Sequence, residues 1–416
     1  MLKKLAILLL VALYLYTLAF DIFLNKYFRL PTPILFGVPL VFLFGSLKKT
    51  SFVYGREIIL LGLALFMFYG LAQNSVKNFW VCIIVIVSCA AYFNFFVATD
   101  LKRFNQSIWI FMGLLFFSSV IMVLNHMQPS RIDALRTVLL GRPIDQSPTG
   151  ISASIFNYGY QLAALTGFIF IYSLKFRLKP IIQGAIFLVC VYFIFLGMQR
   201  SVVVTFLGSV GLFLIFYYKS KAIYVFGIIA VLGVGLINFF NFADSKESKY
   251  DNVMSKNERK GEDGEDRSQL VTENLKIYAD YPLGLIFYGK TWGDVTEGSR
   301  VFRNGLTSHN AYLMFITYLG PFVGLGLLFA IYYPIFRIFK FCLADIRGRS
   351  NAMLICLCFA FLAVSANSLF HNGWLLNNGP TAFLYFAVLH LYKLTQINNR
   401  TQVQAPKVEA PELEVA

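Results

Sequence analysis

Residues Thr307 to Leu328 read TSHNAYLMFITYLGPFVGLGLL: a short polar segment holding a histidine and an asparagine runs straight into an apolar stretch. That stretch is the length of a helix crossing a bilayer, which needs about 20 mostly apolar residues. Similar runs recur from one end of the chain to the other. Of 416 residues, 58% are hydrophobic, 17% aromatic and 14% charged, whereas a soluble domain carries roughly 25% charged residues. Composition therefore excludes a soluble enzyme. It points to an all-α, polytopic membrane protein, because helices satisfy their backbone groups internally in lipid.

The apolar runs predict twelve spans: Leu5 to Leu24, Ile34 to Leu47, Ile58 to Gln73, Phe79 to Ala98, Ile108 to Met127, Ser152 to Leu174, Pro180 to Met198, Val202 to Tyr218, Ala222 to Phe240, Ala311 to Ile335, Ala352 to Leu369 and Thr381 to Leu394. MLKK resembles the basic start of a signal peptide, but no small-x-small cleavage site follows, so the first run reads as a retained helix. Basic residues cluster in alternate connections: Lys3 and Lys4, Lys48 and Lys49, Lys102 and Arg103, Lys175 to Lys179, Lys219 and Lys221, and Arg337 to Arg349. Basic flanks resist translocation, so these mark the cytoplasmic side and put both termini there. The net charge of +15 thus serves topology and contact with anionic membrane lipid, and requires no nucleic acid. Five of the six cysteines fall in expected spans and Cys342 in a cytoplasmic loop, so no outward pair forms a disulfide, and no His/Cys cluster suggests a metal.

The chain divides into residues 1–240 with nine spans, an outward loop 241–310, residues 311–394 with three spans, and a disordered cytoplasmic tail 395–416. A shorter outward segment, His126 to Gly150, spaces Ile132, Leu135, Val138 and Leu139 as an interfacial helix does, with Arg131, Arg136 and Arg142 around them. The large loop opens with a charged tract too poor in apolar residues to order itself. From Arg267 it changes character: RSQLVTENLKIYADY places Val271, Leu275 and Tyr278 on one helical face, and Pro282 and Gly284 end the helix.

No acidic residue lies deep in an expected span, although Asp21 and Glu57 border them; this disfavours an ion-coupled transporter, which uses intramembrane carboxylates. Arg200, in the tight outward turn FLGMQRSVVV, suits either snorkelling to headgroups or bidentate grip on a phosphate. Arg267 is a solvated charge, a partner for the acidic run before it, or an anion ligand. His309 is either a bystander in a helix capped by Ser308 or a base working near neutral pH. His371 and Asn372 repeat the His-Asn pair at the same face. His390, deep in the last span, reads as a hydrogen-bonded core residue.

Taken in order, the outward Arg200, the loop helix from Arg267 leading to Pro282 and Gly284, and SHNAYLMFITYLG resemble the O-antigen ligase and O-antigen polymerase superfamily. The likeness covers Gly197 to Leu328 well and the rest by topology, with Gly150, Phe156 and Asn157 echoing an earlier motif. Gly284 stands one place early relative to the family's Pro-x-x-Gly-x-Gly turn, and Val202 replaces a frequent glycine. The resemblance implies a GT-C-like bundle that transfers a glycan from undecaprenyl diphosphate at the periplasmic face of a bacterial inner membrane, without ATP or metal. It assigns Arg200 and Arg267 to the diphosphate and His309 to the acceptor hydroxyl, with Asn310, His371 and Asn372 in support. A lipid A-core acceptor makes the protein a ligase, with Arg131, Arg136 and Arg142 as possible contacts for its phosphates. A second carrier-linked glycan makes it a polymerase, and a protein acceptor an O-oligosaccharyltransferase. From other classes, a metal-dependent transferase needs a second carboxylate near Asp21, and a flippase or exporter needs none of these side chains.

Overall fold

The computed structural model describes residues 2–24, 30–47, 50–73, 75–224, 227, 267–302, 306–371 and 379–404. The expected ninth span lies almost wholly outside them, as do the charged tract before Arg267, Asn372 and the chain beyond Gln404. All regular elements among the described residues are helical: α1 (Leu2–Ala19), α2 (Thr32–Phe44), α3 (Gly55–Leu65), α4 (Val76–Ala91), α5 (Leu101–Met127), α6 (Pro129–Leu140), α7 (Ile155–Lys175), α8 (Pro180–Leu196), α9 (Arg200–Tyr218), α10 (Arg267–Asp280), α11 (Trp292–Thr296), α12 (Ala311–Leu319), α13 (Gly326–Ala344), α14 (Ala352–Asn367) and α15 (Gly379–Gln404). Wider π turns extend α3 and α4 and join α12 to α13 through Gly320–Leu325.

Six of these stretches are long and apolar enough to cross a membrane: Leu2–Ala19, Gly55–Ala72, Val76–Val97, Leu101–Met127, Arg200–Tyr224 and Ala311–Ala344. Three more, α2, α8 and α14, are apolar but shorter. The chain is thus a helical membrane protein, with fewer full-length spans among the described residues than the twelve expected. At 1.5 Å per residue a helix as short as α2 reaches only about 20 Å, less than the ~30 Å hydrocarbon core. The expected tenth span is α12 and α13 together, broken where Gly320 and Pro321 interrupt the ladder. The tail expected to be disordered from Thr395 continues α15 as far as Gln404, because no proline intervenes before Pro406.

At the centre stands α14, buried along nearly its whole length and packed against α7, α9, α13 and α15. Without a hydrophobic driving force between helices in lipid, close van der Waals contact between small residues holds such pairs. At Gly167 of α7 an added Cβ would lie 3.3 Å from Ala363 Cβ and 3.6 Å from Ala360 Cα of α14. The two helices touch there nearly backbone to backbone. At one end of the bundle Lys175 Nζ donates to the carbonyls of Ile346 (2.5 Å) and Gly348 (2.6 Å), and Arg347 Nε donates to Tyr217 O (3.0 Å). The ends of α7, α9 and α13, all rich in basic residues, therefore meet on one side. All six cysteines are buried free thiols, and Cys342 lies inside α13, 3.7 Å from Cys358, rather than in a loop.

The loop helix α10 forms over the expected range, but it docks through a different face. Leu270 and Asn274 are buried while Leu275 is 49% exposed. Asn274 Oδ1 accepts from Thr317 Oγ1 (2.6 Å) and its Nδ2 lies 3.1 Å from Met314 Sδ. This polar pair turns the helix about one residue, roughly 100°, from the face that apolar spacing selects. After α10, Gly284 (φ +100°) meets Gly320 (φ +73°), and a Cβ on Gly284 would come within 2.2 Å of Gly320 N. The displaced glycine of the loop motif is placed where α12 breaks.

Gly167→Leu is expected to destabilise the bundle by about 1–3 kcal/mol through overpacking. Thermal unfolding of the detergent-solubilised protein checks this, with Gly184→Leu, whose Cβ would meet nothing within 4 Å, expected to unfold like the parent.

Candidate functional site

At the opposite end from Lys175, the helix termini bring three separated segments together. The α8–α9 turn reverses within Gly197 to Gln199, with Met198 at φ +55°. Arg200 is not a loop residue: it is the first residue of α9, and it is exposed. A cation in a helix's first turn opposes the macrodipole and is stabilised when an anion joins it. The N-cap, Gln199, makes no side-chain capping bond, so first-turn N–H groups of α9 remain for such an anion.

The next residue, Ser201, places its Oγ 2.8 Å from His371 Nε2. His371 is 2% exposed, and together with Ser368 its carbonyl accepts from Ala311 N at 3.0 Å. The C-terminal end of α14 is thereby tied to the start of α12. Asn310, not Ser308, caps α12: its Oδ1 accepts from Leu313 N at 3.0 Å. His309 consequently stands outside the helix, half-buried, at φ +51°. That left-handed conformation is unfavourable for a residue with a Cβ. Between the two histidines lies Phe156 of α7, whose ring centroid is 6.1 Å from that of His309 and 5.2 Å from that of His371.

Two amides complete the cluster. Gln199 (3% exposed) and Asn367 (fully buried) converge on Gly159 of α7, where an added Cβ would lie 3.4 Å from Gln199 Oε1 and 3.5 Å from Asn367 Nδ2. Neither atom of the Asn367 amide, nor Gln199 Nε2, nor Ser308 Oγ has a hydrogen-bond partner among the described residues. Burying such groups unpaired costs roughly 1–3 kcal/mol each, so their accumulation marks a functional location. None of Ser201, Gln199 and Asn367 was singled out from the sequence. The legible signal was an amide or hydroxyl inside an otherwise apolar run, as in SANS at the end of α14.

The structure thus joins Arg200, through Ser201, to His371, and His371, through Phe156, to His309, with Asn310 as the cap that holds His309 in place. The backbone of Arg267 begins α10; its side chain and Asn372 lie outside the described residues. The three loop arginines separate. Arg131 and Arg142 are exposed, whereas Arg136 is fully buried and committed. Its Nε donates to Gly150 O (2.8 Å), Nη1 to Asp133 Oδ1 (2.7 Å) and Asn125 Oδ1 (3.1 Å), and Nη2 to Ser152 O (2.8 Å) and Gln146 O (3.1 Å). Burial lowers its pKa, and the hydrogen bond and charge of Asp133 oppose that shift. With every N–H turned inward, Arg136 is excluded as an acceptor contact and instead fixes the loop between α6 and α7. In α6, Arg136 and Leu140 face in, while Leu135 and Val138 of the expected interfacial stripe are 41% and 70% exposed, as residues turned to lipid would be.

His390 is the core residue expected from its position: Nε2 donates to Ala98 O (2.7 Å), leaving Nδ1 to accept from Tyr54 Oη (2.6 Å). His126 lies against α8, with Nε2 donating to Leu196 O (2.8 Å). No protein-family model matches the chain, and no curated protein matches it.

Two substitutions separate structure from chemistry. Arg136→Met removes the cation paired with Asp133 and the donor to the Gln146, Gly150 and Ser152 carbonyls, and is expected to cost about 3–5 kcal/mol, seen as loss of folded protein after solubilisation. Asn310→Ala removes only the cap and is expected to cost about 1 kcal/mol, read in the same melting experiment.

Proposed function

We propose that this protein is a glycosyltransferase of the O-antigen ligase type, moving a glycan from undecaprenyl diphosphate to a lipid A-core acceptor at the periplasmic face of a bacterial inner membrane. The observation that carries the reading is the joining of Arg200, exposed at an uncapped helix N-terminus, through Ser201 and His371 to the strained, half-buried His309. In this reading the chain is a GT-C-like bundle of twelve spans with both termini in the cytoplasm.

The acceptor hydroxyl oxygen attacks the anomeric carbon while the bond from that carbon to the diphosphate oxygen breaks, inverting the centre. His309 takes the hydroxyl proton: its partial exposure lets a substrate reach it, whereas His371, 2% exposed, orients its neighbours. Arg200 and the α9 N–H groups receive the charge that develops on the departing diphosphate. Arg267, at the start of a helix docked on α12 through Asn274, adds a second cation. The diphosphate is already an activated leaving group, so the step calls for neither ATP nor a metal.

Purified protein incubated with undecaprenyl-diphosphate glycan and lipid A-core is expected to yield glycosylated lipid A-core, resolved by gel mobility and mass spectrometry. Arg200→Ala and His309→Ala are each expected to lower the rate by about 100-fold or more, the usual scale for a lost charge stabiliser or base. Elongated carrier-linked glycan in place of that product identifies a polymerase. No transfer to either acceptor overturns the assignment.

A further inference from the structure

A second polar feature lies on the other flank of α7. Asn157, the residue after Phe156, lines a cavity of about 310 Å³ between the outer ends of α1, α4, α7 and α15. Its polar lining includes Asp21, Arg142, Asn78 and Asn157, with Thr17 and Tyr69, and its apolar walls include Phe23 and Val85. Successive helical residues point about 100° apart, so α7 turns Phe156 to the histidines and Asn157 to this cavity.

Asp21 is held in an uncommon way. It follows the end of α1 at φ +52°, in the left-handed region that aspartate enters more readily than most residues. Its Oδ1 accepts from Gly379 N at 2.6 Å, capping the N-terminus of α15. That bond accounts for one oxygen. Oδ2 is buried and has no hydrogen-bond partner among the described residues. A carboxylate that served only as a cap would leave its second oxygen to solvent. The Arg142 guanidinium lines the same cavity and its charge acts on Asp21.

The chemistry of the lining selects among ligands. A phosphate would set its charge against the buried carboxylate. An acyl chain would leave Asp21, Asn78 and Asn157 unsatisfied. A metal ion would face Arg142 with one carboxylate, and no group of three metal-ligating side chains occurs among the described residues. A neutral ring bearing several hydroxyls fits: its O–H groups donate to Asp21 Oδ2 and the asparagine oxygens, its oxygens accept from Arg142 and the amide N–H groups, and its C–H faces meet Phe23 and Val85. The volume lies at the small end of ligand pockets, roughly 300–1,000 Å³, which suits one ring and not a chain.

We propose that this cavity is a saccharide subsite that seats one neutral sugar ring of a glycan substrate beside the histidine cluster, through Asp21, Arg142, Asn78 and Asn157. The role of that ring rests on the glycosyl-transfer reading; the binding of a sugar there does not.

Saturation-transfer difference NMR of the full chain in detergent, with methyl glycosides of a hexose, a 6-deoxyhexose and a 2-acetamido-hexose, tests this. The parent and His309→Ala are expected to give signals from at least one glycoside. Arg142→Ala, which alters an exposed side chain, and Val85→Phe, which fills the cavity, are each expected to reduce that signal by about tenfold, the scale of one charged hydrogen bond. Matching melting temperatures confirm that these variants are folded. Undiminished signal in folded Arg142→Ala and Val85→Phe overturns the proposal, as does a parent that binds none of the glycosides. The transfer assay keeps the two readings apart: cavity-dependent sugar binding without transfer overturns the reaction and leaves the subsite, while transfer without cavity-dependent binding does the reverse.

Discussion

The close passage of α7 and α14 at Gly167 governs the rest of the molecule. Lipid gives two apolar helices no reason to prefer each other over acyl chains, so only the contact between small residues fixes their distance and rotation. About two turns along α7, that same rotation turns Gly159 toward Gln199 and Asn367. At the helix termini beyond, it brings Phe156 between His309 and His371. Moving α7 away from α14 would withdraw Phe156 from the two histidines, which the bonds from Ala311 N to Ser368 O and His371 O hold together.

Burial, not residue type, separates the arginines at this end of the bundle. Arg136 saturates its guanidinium on loop carbonyls, Asp133 and Asn125, and is thereby lost to any substrate. Arg200 is exposed in the first turn of α9, where the helix field opposes it and an incoming anion relieves it. The same contrast holds for the histidines. His390 is consumed by Ala98 and Tyr54, His371 by its buried place beside Ser201, and His309 alone of these three remains half-exposed, on a strained backbone between a buried serine and a helix cap.

Buried polar atoms without a partner among the described residues gather mostly at this end of the bundle, whereas left-handed residues are shared with the other end, where Ala98, Arg177 and Lys219 have positive φ. Met198, His309 and Asp21 all have positive φ, and Gln199, Ser308, Asn367 and Asp21 all hold a buried polar atom without such a partner. Such conformations persist only where the surrounding packing imposes them. Here the packing is supplied by α14 and by the backbone contact of Gly284 with Gly320, which presses the large loop onto the break between α12 and α13.

The apolar runs alone determined that the chain is helical and membrane-bound, since a backbone in hydrocarbon must bond within itself. They also located the termini of α7, α8, α9 and α14 to within a few residues, because Pro180, Gly197 and the polar Ser154 punctuate them visibly. Arg200 and His309 were legible as candidates through charge and chemistry placed beside apolar stretches. The docking face of α10 was not, because one buried hydrogen bond from Thr317 to Asn274 outweighs apolar spacing. Nor was the fate of Arg136, which depends on carbonyls up to sixteen residues away in a loop without periodicity. The partnership of Ser201 with His371, 170 residues apart, and the cavity that joins Asp21 to Arg142 and Asn157 arise from helix packing. No local pattern encodes which helix ends meet; only tertiary structure decides that.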